Sequence, residues 1–235
     1  RGSERLAERY SAPFSIDLKK RAALVTGAGT DLGRAAALAL ARAGAAVVVN
    51  DLNPDKCDQV VELIAAEGGR ALAHQADVAN RFQAASMIES ARDAFGAISI
   101  LVNAAGVFKR GPMGKLDEWD WRRALDVNLT GTFFVTQLLS RVMADEGGGV
   151  IVNVAPDTTL PDGISYVASK AGVLGLTRQS ARELGSAGIR VHAVCPPPFD
   201  DDDDPRIALA ADAILFLCSD AARGLNGQAL SLTLE

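Results

Sequence analysis

The stretch over residues 22–51 constrains this chain more than any other. It reads as an apolar strand over residues 22–26, a turn Gly27-Ala-Gly-Thr-Asp-Leu-Gly33, an alanine-rich helix ending at Gly44, a second apolar strand over 45–50, and then Asp51. Each part suits the binding of a dinucleotide. Gly27 and Gly29 let the backbone turn off the strand end and leave room for a pyrophosphate on the N–H groups and positive dipole end of the next helix. Gly33 lets that helix lie close on a sheet, and Asp51, eighteen residues later, stands near the interval at which a carboxylate accepts hydrogen bonds from an adenosine ribose. The same carboxylate would repel a 2'-phosphate, so NAD is expected rather than NADP.

The rest of the chain repeats the strand–helix alternation. A helix is expected over residues 54–67, started by Pro54 and stopped by Gly68-Gly69, with Val60, Val61 and Ile64 as its apolar stripe. A third strand covers 71–75, and Asn80 caps a helix running to Phe95. A fourth strand over 98–103 ends in Asn103-Ala-Ala-Gly106, which permits close backbone approach to a ligand or forms a tight turn. A long helix over 118–143 carries Asn128 among apolar residues, where its amide needs a partner, structural or functional. Strands over 150–154, 190–194 and 228–234 follow, with helices over 165–183 and 208–217 between them.

Continuously apolar strands alternating with helices specify an α/β fold: a Rossmann-type, doubly wound parallel sheet of about seven strands with helices on both faces. The length of 235 residues suits one domain, placed at 16–235, with 1–15 a flexible N-terminal extension. Ligands of such a sheet bind beyond the strand C-termini.

Ser165 is placed to cap the helix that holds Tyr166 and Lys170. At a spacing of four these two share a helix face, so the ammonium lies beside the phenol and is expected to lower its pKa toward neutrality. That would make Tyr166 a usable proton donor and acceptor.

A net charge of −5 without a Lys/Arg cluster argues against a nucleic acid or an acidic membrane as partner. No apolar run reaches membrane-span length and no secretory signal pattern is evident, so a soluble cytoplasmic protein is expected. Cys57, Cys195 and Cys218 lie far apart and read as free thiols, and His74 and His192 both fall in strands, so no metal site is expected.

The combination of Thr26-Gly-Ala-Gly-Thr-Asp-Leu-Gly33, Asp77-Val78, Asn103-Ala-Ala-Gly106, Asn128, Tyr166-Val-Ala-Ser-Lys170 and Ile189-Arg-Val-His-Ala-Val-Cys-Pro196 resembles the classical short-chain dehydrogenases/reductases, with 3-oxoacyl carrier-protein reductases and small polyol dehydrogenases nearest in flavour. The resemblance implies hydride transfer between a nicotinamide and a small-molecule ketone or secondary alcohol. Tyr166 would exchange the proton, Lys170 would assist it and hold the nicotinamide ribose, and Asn128 would anchor a water in the proton relay. The implied cofactor contacts are Gly27, Gly29, Asp31, Leu32 and Gly33 in the first turn, and Asp51 and Leu52 after the second strand. Asp77 and Val78 would lie at the adenine, and Asn103, Ala104 and Gly106 would line the cofactor with Tyr166 and Lys170. A homo-oligomer, dimer or tetramer, is implied through the helices holding Asn128 and Tyr166.

Against the same pattern, Asp31 replaces a glycine, Ala155 and Pro156 stand where paired serines are common, and the loop before Tyr166 is about three residues short. Thr158 or Thr159 is a candidate source of the missing hydroxyl, whose loss typically costs about 100- to 1000-fold in rate. Pro197 replaces a glycine, and Phe199 with the acidic run Asp200 to Asp204, expected to be solvated, stands in place of a substrate lid. A catalytically weak or inactive relative, binding nucleotide or serving as an assembly subunit, is the alternative reading.

Overall fold

The computed structural model describes residues 16–156, 160–199 and 204–233; residues 1–15, Thr158, Thr159 and the aspartates 200–203 lie outside the described residues. The seven strands are β1 (Ala22–Thr26), β2 (Ala46–Asp51), β3 (Arg70–Gln75), β4 (Ile100–Asn103), β5 (Gly149–Val154), β6 (Ile189–Cys195) and β7 (Ala229–Ser231). They form one sheet in the order β3-β2-β1-β4-β5-β6-β7, and every neighbouring pair is parallel. The order reverses between β1 and β4, and that switch point opens the crevice expected to take a ligand.

Why the central strands are largely apolar is visible in the two layers. The helices are α1 (Asp31–Arg42), α2 (Pro54–Ala66), α3 (Arg81–Phe95), α4 (Glu118–Leu125), α5 (Thr132–Asp145), α6 (Ile164–Leu184) and α7 (Pro205–Cys218). Val25, Val49, Val102 and Val152 pack on Leu40 of α1, Ile64 of α2 and Ile214 of α7. Their strand neighbours Leu24, Val48, Leu101 and Ile151 point to the opposite face and meet Met87 of α3 and Leu139 and Met143 of α5. Both faces are covered, so both sets of alternate positions are mostly apolar, and the buried asparagines Asn50, Asn103 and Asn153 sit at or near strand C-terminal ends; each buried Leu, Ile or Val contributes on the order of 1.5–3 kcal/mol.

Helix starts follow local chemistry. Thr30, Asn53, Asn80 and Asp117 each cap a helix by accepting from backbone N–H groups with their side-chain oxygens. Two sequence expectations need correction. The helix expected over 118–143 is broken into α4 and α5 by a π-helical turn, Asp126–Gly131, with Asn128 at its centre. Ser165 is not the cap of α6, which starts from Gly163; the Ser165 hydroxyl is buried in the first turn without a hydrogen-bond partner. Asp204 also departs from expectation. It is buried, caps α7 through the Arg206 N–H and pairs with the Arg206 guanidinium, whereas the acidic run reads as solvated.

Candidate active site

The site is assembled from the C-terminal ends of β1, β2, β4 and β5. After β1 the chain turns at Gly27 with φ of 63°, and a Cβ there would lie 2.5 Å from the Ala105 Cα. Only glycine lets the β1 and β4 turns cross so closely. Thr30 ties the turn together: its hydroxyl donates to the Gly27 carbonyl at 2.7 Å and accepts from the Gly33 N–H at 3.3 Å. At Gly33 a Cβ would run into that same carbonyl, which explains the second close approach.

Two hollows flank this turn. One, of about 180 Å³, is lined by Gly27, Asp51, Leu52, Asp77, Val78 and Gly106 together with Arg123 and Val127. Asp51 closes it with one carboxylate oxygen accepting from Gly29 N–H at 3.1 Å and the other from Asn53 N–H at 3.0 Å. Asp77 accepts from the Ala79 N–H and from both terminal nitrogens of Arg123, each at 3.2 Å. The other hollow, a cleft of about 450 Å³, is lined by Asp31, Leu32, Ala104, Gly106, Tyr166 and Lys170, with Phe108, Arg110, Pro156 and Phe199 around them. Thr30, Gly106 and Val107 line both, and therefore stand between a hollow carrying an acid at a strand end and a cleft carrying a phenol and an amine. Asp31 lies in the first turn of α1, and its carboxylate is paired with Arg34 at 3.1 Å, which offsets its charge near the helix N-terminus.

The expected Tyr166–Lys170 pair is brought together, but not as the spacing alone suggests. Lys170 Nζ donates to the Val154 carbonyl at 2.9 Å and lies 5.6 Å from the centre of the Tyr166 ring. Lys170 is only 3% exposed, and burial pushes its pKa down to about 8. Burial likewise pushes the Tyr166 phenol up to about 12, the reverse of the lowering expected from a neighbouring cation. Desolvation disfavours each charged form and outweighs the attraction between them.

Asn128 and Asn103 do not line either hollow. The π turn aims the Asn128 amide at the loop after β4, where it accepts from Val107 N–H at 2.7 Å, donates to Val107 carbonyl at 3.0 Å and donates to Ser169 Oγ at 2.9 Å. Ser169 in turn donates to the Tyr166 carbonyl at 2.7 Å, so Asn128 joins the β4 loop to the helix turn of Tyr166. Asn103 lies behind, donating to Thr136 Oγ1 and Asn153 Oδ1. Gly29 and Gly33 act through the turn rather than as lining.

Sequence reasoning missed Thr30, Arg123, Ser169 and the Phe108–Tyr166 ring contact, with centroids 5.0 Å apart. Thr30 alone had a local signal, a threonine immediately before the alanine-rich helix, in the position of a cap. The missing serine resolves into one position. Ala155 is buried among Val173, Ala193 and Cys195, whereas Pro156 faces the cleft beside Tyr166. Among the described residues, no cluster of three or more His, Cys, Asp or Glu is placed to hold a metal, and no helix is long and apolar enough to cross a membrane. The three cysteines are buried free thiols, as expected.

Comparison with known proteins adds three findings. The family model described as short chain dehydrogenase matches residues 21–206. The (2S)-((R)-hydroxy(phenyl)methyl)succinyl-CoA dehydrogenase subunit BbsD of Thauera aromatica is 37% identical over 92% of this chain and 96% of its own, and a 3-oxoacyl-(acyl-carrier-protein) reductase of Synechocystis is 40% identical over 76% and 74%. A solved 7α-hydroxysteroid dehydrogenase, complexed with NADH and 7-oxo glycochenodeoxycholic acid, superposes with a TM-score of 0.87 at 32% identity, covering 93% of this chain and 94% of that one.

Proposed function

The chain belongs to the short-chain dehydrogenase family, and from that premise we propose that it moves a hydride between a nicotinamide cofactor, NAD in preference to NADP, and the carbon of a small-molecule ketone or secondary alcohol. The observation that carries the proposal is the half-buried Tyr166 beside the buried Lys170 in the cleft next to the Gly27 turn. The residues present fit a dinucleotide. Gly27 lets the β1 turn cross the β4 loop so that Thr30, Gly106 and Val107 line both hollows, the first turn of α1 lines the cleft through Asp31 and Leu32, and Asp51 and Asp77 line the smaller hollow. The offset of Asp31 by Arg34 removes the main objection to a pyrophosphate there. When bound, the nicotinamide supplies the hydride for reduction or takes it up in oxidation.

In the reducing direction Tyr166 gives its hydroxyl proton to the substrate oxygen while the carbonyl carbon takes the hydride, so the ketone gains two electrons and two hydrogens in all. A phenol held at about 12 is protonated at neutral pH, the form this direction requires. Lys170 restores charge balance beside the phenol as its proton leaves. Asn128 acts as a positioning residue, fixing Val107 and the Tyr166 turn, and its relay water is part of the same proposal. Residues 16–235 serve as one nucleotide-binding domain, cytoplasmic and homo-oligomeric. Exposed Trp119, Phe133 and Ile164, on α4, α5 and α6, support assembly through those helices.

One observation favours a second reading, a catalytically weak or inactive member that binds nucleotide or serves as an assembly subunit. Pro156 at the cleft wall offers no hydroxyl to orient the substrate oxygen. Calorimetric titration with NADH and NADPH, followed by NADH oxidation with a panel of ketones, separates the readings. Micromolar NADH binding with turnover supports the enzyme. NADH binding with no turnover supports the nucleotide-binding form of the second reading, and binding of neither nucleotide removes the enzyme and leaves the assembly role.

A further inference from the structure

Arg110 differs from Arg34 and Arg123, the other arginines beside the two hollows. Arg34, Arg42, Arg92, Arg122, Arg123 and Arg206 all pair with carboxylates. Arg110 has no carboxylate partner among the described residues; its guanidinium lies over the Phe108 ring, 5.3 Å from the centroid. That ring is in turn 5.0 Å from the ring of Tyr166, and Phe108 is 39% exposed at the cleft mouth. A single aromatic ring thus separates an unpaired guanidinium from the phenol, and both Arg110 and Phe108 line the cleft.

We propose that Arg110, stacked on Phe108, recognises an anionic oxygen group, carboxylate or phosphate, carried by the substrate whose carbonyl meets Tyr166. The proposal rests on the oxidoreductase reading above. Stacking holds the guanidinium plane while leaving its N–H edge free for the two-pronged hydrogen bonding that carboxylates and phosphates accept. The loop is also anchored. Gly111 N–H, next in the chain, donates to the Asp162 carbonyl at 2.8 Å, which fixes Arg110 relative to the start of α6 and Tyr166. Electrostatics agree with the geometry: Asp31 is offset by Arg34, so Arg110 and Lys170 leave the described cleft cationic in a chain of net charge −5. Between these cations the wall is apolar, formed by Val107, Pro156, Leu160 and Phe199. The substrate class that matches is a ketone or secondary alcohol with a short apolar body and an anionic end.

The test uses the full chain with NADH and two matched pairs of ketones. Levulinate and its methyl ester differ in the carboxylate charge, and dihydroxyacetone phosphate and dihydroxyacetone differ in the phosphate. Each is assayed with the wild type, Arg110→Gln and Lys109→Gln, the last removing an adjacent charge that does not line the cleft. For the charged member of at least one pair, Arg110→Gln is expected to lower kcat/KM about 10- to 100-fold through KM, with the neutral member changed less than about twofold. The pair that responds identifies carboxylate or phosphate as the group bound. Equal effects on charged and neutral members, or an equal effect of Lys109→Gln, overturn the proposal. Should no ketone be turned over, the hydride-transfer reading fails, and calorimetric titration of the same compounds in the presence of NADH decides this one. Binding of a charged member that is lost in Arg110→Gln sustains it, and binding that is absent or unaltered overturns it.

Discussion

Replacing Lys170 with methionine tests the electrostatics of the site without any substrate. The Lys170 ammonium is 3% exposed, its one hydrogen bond among the described residues goes to the Val154 carbonyl, and burial lowers its pKa from 10.5 to about 8. A folded-state pKa below the unfolded one means the unfolded chain binds more protons across that interval. Stability therefore rises with pH between about 8 and 10.5, while below about 8 both states are protonated and the burial penalty is constant. The whole shift corresponds to roughly 3 kcal/mol at about 1.4 kcal/mol per pH unit. Lys170→Met removes that penalty but leaves the Val154 carbonyl unpaired, which costs about 1–3 kcal/mol, so near pH 7 the two proteins should be of similar stability. By pH 10 the wild type should have gained on the variant by about 2–3 kcal/mol, the other titrations cancelling in the difference. Tyr166, whose raised pKa acts from pH 10 upward with the opposite sign, stays out of this window. Urea unfolding of both proteins at pH 7, 8, 9 and 10, with m-values compared, measures the difference. A gap that stays constant from pH 7 to 10, or that moves toward the variant, refutes the claim that an uncompensated ammonium is buried there.

Three further outcomes are expected. Pro156→Ser restores a hydroxyl on the cleft wall beside Tyr166 and should raise the rate of ketone reduction, by up to about 100- to 1000-fold, in the wild-type background and not in Tyr166→Phe; no gain in steady-state NADH oxidation would show that Pro156 does not mark the missing donor. Asp51→Ala should relax discrimination against NADPH, read as the ratio of calorimetric dissociation constants, and an unchanged ratio removes Asp51 from cofactor selection. Asn128→Ala orphans the Val107 N–H and carbonyl and should destabilise the protein by about 2–4 kcal/mol in chemical denaturation; a change below about 0.5 kcal/mol would show that the β4 loop does not depend on this amide.

The fold was legible because its information is local and repeated. The central strands are apolar at successive positions, and each helix carries a cap or a glycine stop within a few residues of its end. The first turn was legible for the same reason, as Gly27, Gly33 and Asp51 lie close in sequence to the elements they join. What stayed hidden depends on partners distant in the chain. No glycine or proline lies inside the Asp126–Gly131 segment short of its last residue to announce the break in the helix; the Asn128 amide there is satisfied by Val107, twenty-one residues earlier. The lysine has the same difficulty. Spacing places Lys170 on the helix face of Tyr166, but not its hydrogen bond to the carbonyl of Val154 on a neighbouring strand, nor the burial that sets both pKa values.

The serine position shows how one residue of register decides the chemistry. Along a strand and just past its end, successive side chains point to opposite sides, so only one of Ala155 and Pro156 can face the cleft. The N–H of Ala155 still donates to the Val194 carbonyl of β6 at 2.9 Å, which continues the sheet and sends its methyl into the core. That leaves Pro156 toward Tyr166. Serine at either position reads alike in sequence, yet Ala155→Ser would bury a hydroxyl among Val173 and Ala193, while the change at 156 would deliver one to the cleft. Proline is also the one residue that lacks a backbone N–H, so residue 156 offers the substrate oxygen neither a side-chain nor a main-chain donor. Under the proposed hydride-transfer reading Tyr166 is the hydroxyl that meets that oxygen, which is why the effect of Pro156→Ser should vanish in Tyr166→Phe.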